Sequence, residues 1–456
     1  MKDFSLKRYL PLAVLLGTFT SFPIISYVRE VYNDYNYPPL IGIVRYIAIL
    51  IFGVSFISYA LFLINEKSRP ENSGVAQYFI PAFFAGIFLC CIYPIFSIDL
   101  FEYIIRGRIL GIYNANPYVY APVNFSKDIL YDVIFWKDQP MIYGPVWAYL
   151  VTSAVSIAKD SIFLSQFLVK SILLIFHISL SYVIFAISKH VGSKEGKEIM
   201  LSYLLNPFIL VMVLVDGHMD TVMMCFLALS ILMLFRRRIY FSFFLLAMSI
   251  LTKYFPIIFI PFYLVYLWEG RKNNVRYFWE IFLAFVLMAG SAALLYGPLW
   301  VGLETFSALK IVGTGFDTNT FPYIAYSVIQ SLGIDISEKF FRYMSYAAFF
   351  LVYVSIFVVF VKAKDKGRAL LASVFWIFAA YIFLASFQLG AWYFMWVIPF
   401  MLLMDIPSKY LLSGMMSFSA LISFWKRVSF LMLVVLLLYL VVIFVTKNRR
   451  KPCIGQ

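Results

Sequence analysis

Apolar runs of about 16–25 residues recur along the whole chain, and about 20 helical residues are what it takes to cross a bilayer core about 30 Å thick. In hydrocarbon every backbone N–H and C=O must find its partner within the protein, and over runs of this length only a helix provides one. The sequence therefore predicts an all-α, polytopic transmembrane helix bundle with about 13–14 spans. Composition excludes an ordinary soluble domain: 63% of the 456 residues are hydrophobic and 13% are charged, against about 45–50% and about 25% in soluble proteins. The formal charge of +14 is scattered through short connections between apolar runs, which marks topology and not a nucleic-acid surface. Membrane lipids are expected partners and nucleic acid is not. Cys90, Cys91 and Cys225 sit inside apolar runs and Cys453 in a basic tail, a packing pattern with no disulfide framework.

Basic residues set the expected topology. Lys2, Lys7 and Arg8 precede a run from Tyr9 to Val28 that is too long for a signal-peptide core and is read as a retained outward span. A second span, Leu40 to Ile64, returns to a cytoplasmic loop with Lys67 and Arg69, and a third, Gln77 to Phe96, delivers Asp99 to the outer face. Tyr143 to Ile157 is read as a partial or re-entrant helix, because a full crossing would put the Lys-rich loop His190 to Lys197 outside. Spans Phe163 to Ser188 and Ile199 to Val215 then place Asp216, His218 and Asp220 outside, and the next ends inside at Arg236, Arg237 and Arg238. Ile239 to Trp268 is too long for one crossing and reads as a hairpin turning at Lys253 on the outer side. Later spans are expected at Phe278 to Tyr296, Tyr343 to Val361, Ala369 to Ala385, Ala391 to Met404 and as a pair within Tyr410 to Val445, before the basic tail Lys447 to Lys451. The resulting units are an N-terminal two-span extension (1–75), a catalytic transmembrane module with outer loops 97–145 and 297–340 (76–405), and C-terminal spans with a cytoplasmic tail (406–456). No large soluble domain is evident.

Ionisable side chains in or beside membrane helices are costly, so each is a functional hypothesis by default. Asp99, Glu102, Tyr103 and Arg106 stand at i, i+3, i+4 and i+7, one face of a helix, with Arg108 close behind. Two carboxylates, a phenol and guanidinium groups suit attack of a hydroxyl on a phosphate-linked sugar, which needs a base for the proton and a cation for the departing phosphate. Asp99 is the candidate base; the same spacing also describes a solvated Glu102–Arg106 ion pair. Asn116, in Asn116-Pro117-Tyr118, and Tyr143, in Tyr143-Gly144-Pro145, lie in segments that also read as turn and helix-start chemistry.

His218 and Asp220 have the chemistry of metal ligands, but the chain holds three histidines in all and no clustered partners, so a metal is not predicted and no cofactor is required. Asp220 reads better as a helix-end acid facing the same site as Asp99. Lys253 interrupts an apolar run either as a snorkelling anchor or as a point charge for a lipid phosphate. Gln388 and Trp392, beside Tyr393-Phe394-Met395-Trp396, fit an interfacial aromatic belt or a surface that stacks on sugar.

Taken in order, these segments resemble the glycosyltransferase C superfamily, and within it the multispanning polyprenyl-phosphate-mannose-dependent mannosyltransferases. The resemblance runs from Ser97 to about Pro399. It is carried by Asp99, Tyr103, Gly107, Asn116-Pro117-Tyr118, Tyr143-Gly144-Pro145, Asn206-Pro207, Gly217-His218-Met219-Asp220, Lys253-Tyr254-Phe255-Pro256 and Trp392 to Trp396. It implies a catalytic acid in the first large outer loop, here Asp99, and an isoprenoid-linked sugar donor used outside the cytoplasm. It also implies that Asp220 and Lys253 look like the second acid and the phosphate-facing base of related transferases. Two apolar segments before Asn65 are extra to the family's usual plan.

The resemblance leads to an expected reaction: direct, inverting transfer of a hexose, mannose being the family's commonest, from a polyprenyl-phosphate donor to a lipid-linked glycan or lipid. A cell membrane is the expected location. The rival expectation is a lipid or sugar transporter or flippase, in which Asp99, Asp220 and Lys253 would be coupling residues; an accessory subunit of a glycan assembly complex is a third.

Overall fold

The computed structural model describes residues 38–67, 74–269, 274–310, 320–388 and 390–423, with Val14, Gly17 and Thr18 besides. Most of the expected span from Tyr9 to Val28, most of the pair within Tyr410 to Val445 and the whole basic tail lie outside the described residues. Within them the chain is helical, and its one β-type contact is an isolated bridge between Val301 and Leu303.

The helices are α1 (Pro38–Lys67), α2 (Ala76–Cys90), α3 (Asp99–Gly111), α4 (Pro145–Ala158), α5 (Ile162–His190), α6 (Gly196–Leu204), α7 (Asp220–Phe235), α8 (Ile239–Ile250), α9 (Ile260–Trp268), α10 (Asn274–Tyr296), α11 (Phe321–Ser331), α12 (Glu338–Lys362), α13 (Lys366–Ala380), α14 (Phe394–Leu403) and α15 (Lys409–Ser423). Among the described residues five stretches are long and apolar enough to cross a membrane alone: Leu50–Lys67, Ile162–His190, Asn274–Leu299, Glu338–Lys362 and Lys366–Ala385. The protein is thus a polytopic helical membrane protein. The other expected crossings fall on shorter apolar helices, or outside the described residues.

One of these is a broken span. α6 and the stretch Pro207–Val215 pass the length test together but bend by 44°. The break has a local cause: Asn206 caps the second half, its Oδ1 accepting from Phe208 N at 3.0 Å, and Pro207 follows at the first helical position. The stretch ends in a π-turn, Val211–Val215, leading to Asp216.

The segment expected to be re-entrant, Tyr143 to Ile157, is α4. Its 14 residues reach about 21 Å, short of a crossing. It runs alongside α3 in the same direction: Tyr103 meets Trp147 edge-on at 5.3 Å, Gly107 lies against Val151, and Gly111 against Ser156. A Cβ on Gly107 would stand 3.2 Å from the Val151 carbonyl carbon, and one on Gly111 2.6 Å from Ser156 Oγ. The small residues at i and i+4 are what let the two helices approach so closely.

The expected hairpin is also present. α8 leads into a turn that holds Lys253, and α9 returns, so that Tyr266 comes back to Phe235 at 5.6 Å and to the Arg237 guanidinium at 5.3 Å. The bundle therefore has two distinct ends. One carries Arg236, Arg237, Arg238 and His190, whose ring stacks on Phe235 at 5.2 Å; the other carries Asp99, Asp220 and Lys253. α10 and α12 bury only 11% and 6% of their span windows, which leaves their apolar faces for lipid, whereas α7 and α14 are buried almost throughout.

Candidate functional site

Asp99 opens α3, and its backbone N–H bonds Ser97 Oγ at 3.2 Å. Its carboxylate Oδ2 stands 3.8 Å from His218 Nδ1. His218 is fully buried and its ring stacks on the Trp392 indole at 4.1 Å and 18°. Burial first, and Lys253 after it, outweigh the pull of Asp220 and hold the imidazole down at about 3, so it is neutral. Burial, with the negative charges of Glu102 and Asp220, pushes the Asp99 carboxyl up to about 7 against the Ser97 hydrogen bond and the Lys253 charge.

Asp220 starts α7 and is buried. Its Oδ1 accepts from Lys253 Nζ at 2.8 Å and from Trp396 Nε1 at 2.7 Å. Around the ammonium stand the rings of Tyr393 and Trp396, both 4.7 Å away, and Tyr143 at 5.9 Å. A lysine has three N–H donors, so the bond to Asp220 fixes its position and leaves two to act on a ligand.

The Tyr143 segment is brought to Lys253 by backbone alone. Gly144 N bonds Thr252 O and Val146 N bonds Leu251 O, each at 3.0 Å. A Cβ at Gly144 would overlap the Leu251 carbonyl group, so only glycine permits this approach. Tyr118 Oη holds the Tyr143 carbonyl at 2.8 Å, and the Tyr103 ring meets Tyr143 edge-on at 5.3 Å.

Exposure divides the candidates. The Asp99 side chain is 23% exposed and that of Lys253 17%, and Tyr143, Trp392 and Tyr393 are also partly open. Behind them, His218, Asp220, Tyr103 and Trp396 are buried. Gln388 is half-buried, and its carbonyl accepts from Ser386 Oγ at 3.0 Å. Lys253 is no snorkelling anchor: it turns inward to an acid.

Three expected binding residues have other work. Arg106 pairs with Glu102 at 2.6 Å, both buried, and its Nη2 donates to the carbonyls of Trp136 and Gln139. Glu102 Oε1 accepts from the N–H groups of Phe135 and Trp136 at 2.6 and 2.8 Å. Arg108 bonds Asp128, Asp160 and the Lys159 carbonyl. In the structure the donors and acceptors of these three hold the loop 128–139 and the α4–α5 turn onto α3. The i, i+4 ion pair forms, but buried. Asn116 likewise binds protein, donating to Leu299 O at 2.7 Å, and so ties the first long loop to the second.

Helical spacing alone did not single out Trp396 as the partner of Asp220, or Tyr393 as a wall of the lysine cage, though both lie in the aromatic motif. Among the described residues no three His, Cys, Asp or Glu side chains are grouped to hold a metal ion.

Residues 29–269, more than half of the chain, match a protein family described as alpha-(1->6)-mannopyranosyltransferase, N-terminal domain. The match takes in Asp99, Tyr143, His218, Asp220 and Lys253. No curated protein matches the chain.

Proposed function

Because the chain belongs to the alpha-(1->6)-mannopyranosyltransferase family, mannosyltransferases of the glycosyltransferase C type, we propose that it moves mannose from polyprenyl phosphate to a hydroxyl of a lipid-linked glycan or lipid. The observation that carries this reading is one cluster holding a partly open carboxylate, Asp99, and a partly open, fixed ammonium, Lys253. Hydroxyl attack on a phosphate-linked sugar needs a proton acceptor for the nucleophile and a positive charge for the leaving group.

In the proposed reaction the acceptor oxygen attacks C1 of mannose while its proton passes to an Asp99 carboxylate oxygen. The bond from C1 to the phosphate oxygen breaks, and the electron pair leaves with polyprenyl phosphate, whose charge Lys253 neutralises. Asp220 and Trp396 keep the ammonium in place, and the neutral His218 ring, stacked on Trp392, lines the base without competing for its charge. Tyr143 and Trp392 supply open aromatic surface for a sugar. A single displacement inverts the anomeric centre, so the alpha linkage in the family's description calls for a beta-linked donor. The positive-inside rule favours a cytoplasmic position for the end with Arg236, Arg237 and Arg238, which supports a site on the opposite face; the proposed location is a cell membrane.

The test is donor choice. Purified protein in liposomes is given a glycolipid acceptor and labelled mannose, either on polyprenyl phosphate or on a nucleotide. Transfer from the lipid donor alone, yielding an alpha-1,6 product, is expected; transfer from the nucleotide donor alone would overturn the reading.

A further inference from the structure

Asp99 is presented by a short irregular segment, 91–98, that joins the end of α2 to the start of α3. Backbone outside a helix at this depth must find partners within the protein. Two buried charges from elsewhere in the chain supply them. Lys170, in the first third of the α5 span and fully buried, donates from Nζ to the Ile92 carbonyl. Asp216, also fully buried, accepts at Oδ1 from the N–H groups of Ile95 at 2.8 Å and Phe96 at 3.1 Å. Pro94 between them has no N–H to offer.

A lysine inside a span is expensive and calls for a reason. Here Phe96 stands three residues before Asp99, and Asp216 four residues before Asp220. One ion thus fixes the approach to the base and begins the loop that carries the second acid.

We propose that Lys170 and Asp216 are positioning residues, a buried clamp that sets where the Asp99 carboxylate stands relative to Asp220 and Lys253. The proposal rests on the reading of Asp99 as the base. Neither residue touches substrate. A misplacement of about 1 Å at a reacting group costs on the order of 10²-fold in rate, so the clamp acts on turnover more than on binding.

The experiment compares wild type with Lys170→Met, Asp216→Asn and Asp216→Ala, and with Asp99→Asn alongside, in mannose transfer from polyprenyl-phosphate mannose. Lys170→Met and Asp216→Asn keep side-chain volume, and Asp216→Asn also keeps an acceptor oxygen. The expected result is a fall in kcat of about 10–100-fold for Lys170→Met, with KM and polyprenyl-phosphate affinity close to wild type and a modest fall in melting temperature, because the buried Ile92 carbonyl loses its donor. Asp216→Asn should retain more turnover than Asp216→Ala. Turnover within about twofold of wild type in both isosteric variants overturns the clamp, as does parallel loss of kcat, lipid affinity and melting temperature, which marks a purely structural role. If those variants stay active while Asp99→Asn is dead, the clamp alone fails. If Asp99→Asn itself keeps wild-type turnover, the base assignment fails and takes the clamp with it.

Discussion

Gly144→Ala tests the packing that joins Tyr143 to Lys253. The new methyl would overlap the Leu251 carbonyl group and stand 3.0 Å from its Cα, where ordinary contact begins at 3.4 Å. Its obstacle is backbone and cannot rotate aside, so the segments must part. Parting strains two hydrogen bonds of 3.0 Å, Gly144 N to Thr252 O and Val146 N to Leu251 O. At about 0.5–1.5 kcal/mol each, their loss costs about 1–3 kcal/mol of stability. The shift at Lys253 approaches the ångström scale at which turnover falls on the order of 10²-fold. Gly290→Ala is the control, since nothing lies within 4 Å of a Cβ there and alanine is the better helix former. Melting in detergent and steady-state mannose transfer, measured on both variants, decide the matter. Near-normal turnover by a folded Gly144→Ala protein would refute the claim that this backbone contact sets the site.

Four further outcomes follow from the charges. Because Asp99 must be ionised to accept a proton and its carboxyl is pushed up to about 7, transfer should fall about tenfold per pH unit below 7 and level off above it; a flat profile from pH 5 to 8 would contradict this. A carboxyl whose pKa is raised on folding costs the fold stability once pH passes above its unfolded value, fully so above about 7, so Asp99→Asn should melt higher than wild type at pH 8 and not at pH 4. Lys253→Met should abolish transfer and, by stranding buried Asp220, destabilise by about 3 kcal/mol, the lower end because the ammonium is partly exposed; adding Asp220→Asn should recover stability without activity. Arg106→Met should strand Glu102, cost about 3–5 kcal/mol and open the loop 135–139 to protease, while a wild-type digestion pattern would show that the ion pair does not hold it.

The bundle was legible because its cause is local: lipid forces helices, and apolar runs mark them. The hairpin turn at Lys253 could be read from one charge in an apolar run, and the short α4 from the conflict between its length and the basic loop after α5. The meeting of Asp220 with Lys253 was anticipated only as a shared helix end, since nothing in spacing says that an acid and a lysine 33 residues apart bond at 2.8 Å. The protein partners of Arg106 and Arg108 could not be read from spacing, for a physical reason. Helical periodicity gives the face of a side chain, not whether a loop 30 or 50 residues later will fold onto it and take up its donors. Lys170 left a readable mark, a cation within an apolar span, but its partner, a carbonyl in an irregular turn, has no signature in sequence.

The central claim is that Asp99 takes the acceptor's proton. It is tested most directly by transfer of labelled mannose from polyprenyl-phosphate mannose to glycolipid, comparing wild type with Asp99→Asn in liposomes at pH 8, where the native carboxyl is ionised. The asparagine keeps the shape and loses the base. The account predicts that transfer falls by at least 10²-fold, the lower end of what a general base contributes, while polyprenyl-phosphate binding and the folded state persist. Equal turnover by the two proteins would remove Asp99 from the chemistry.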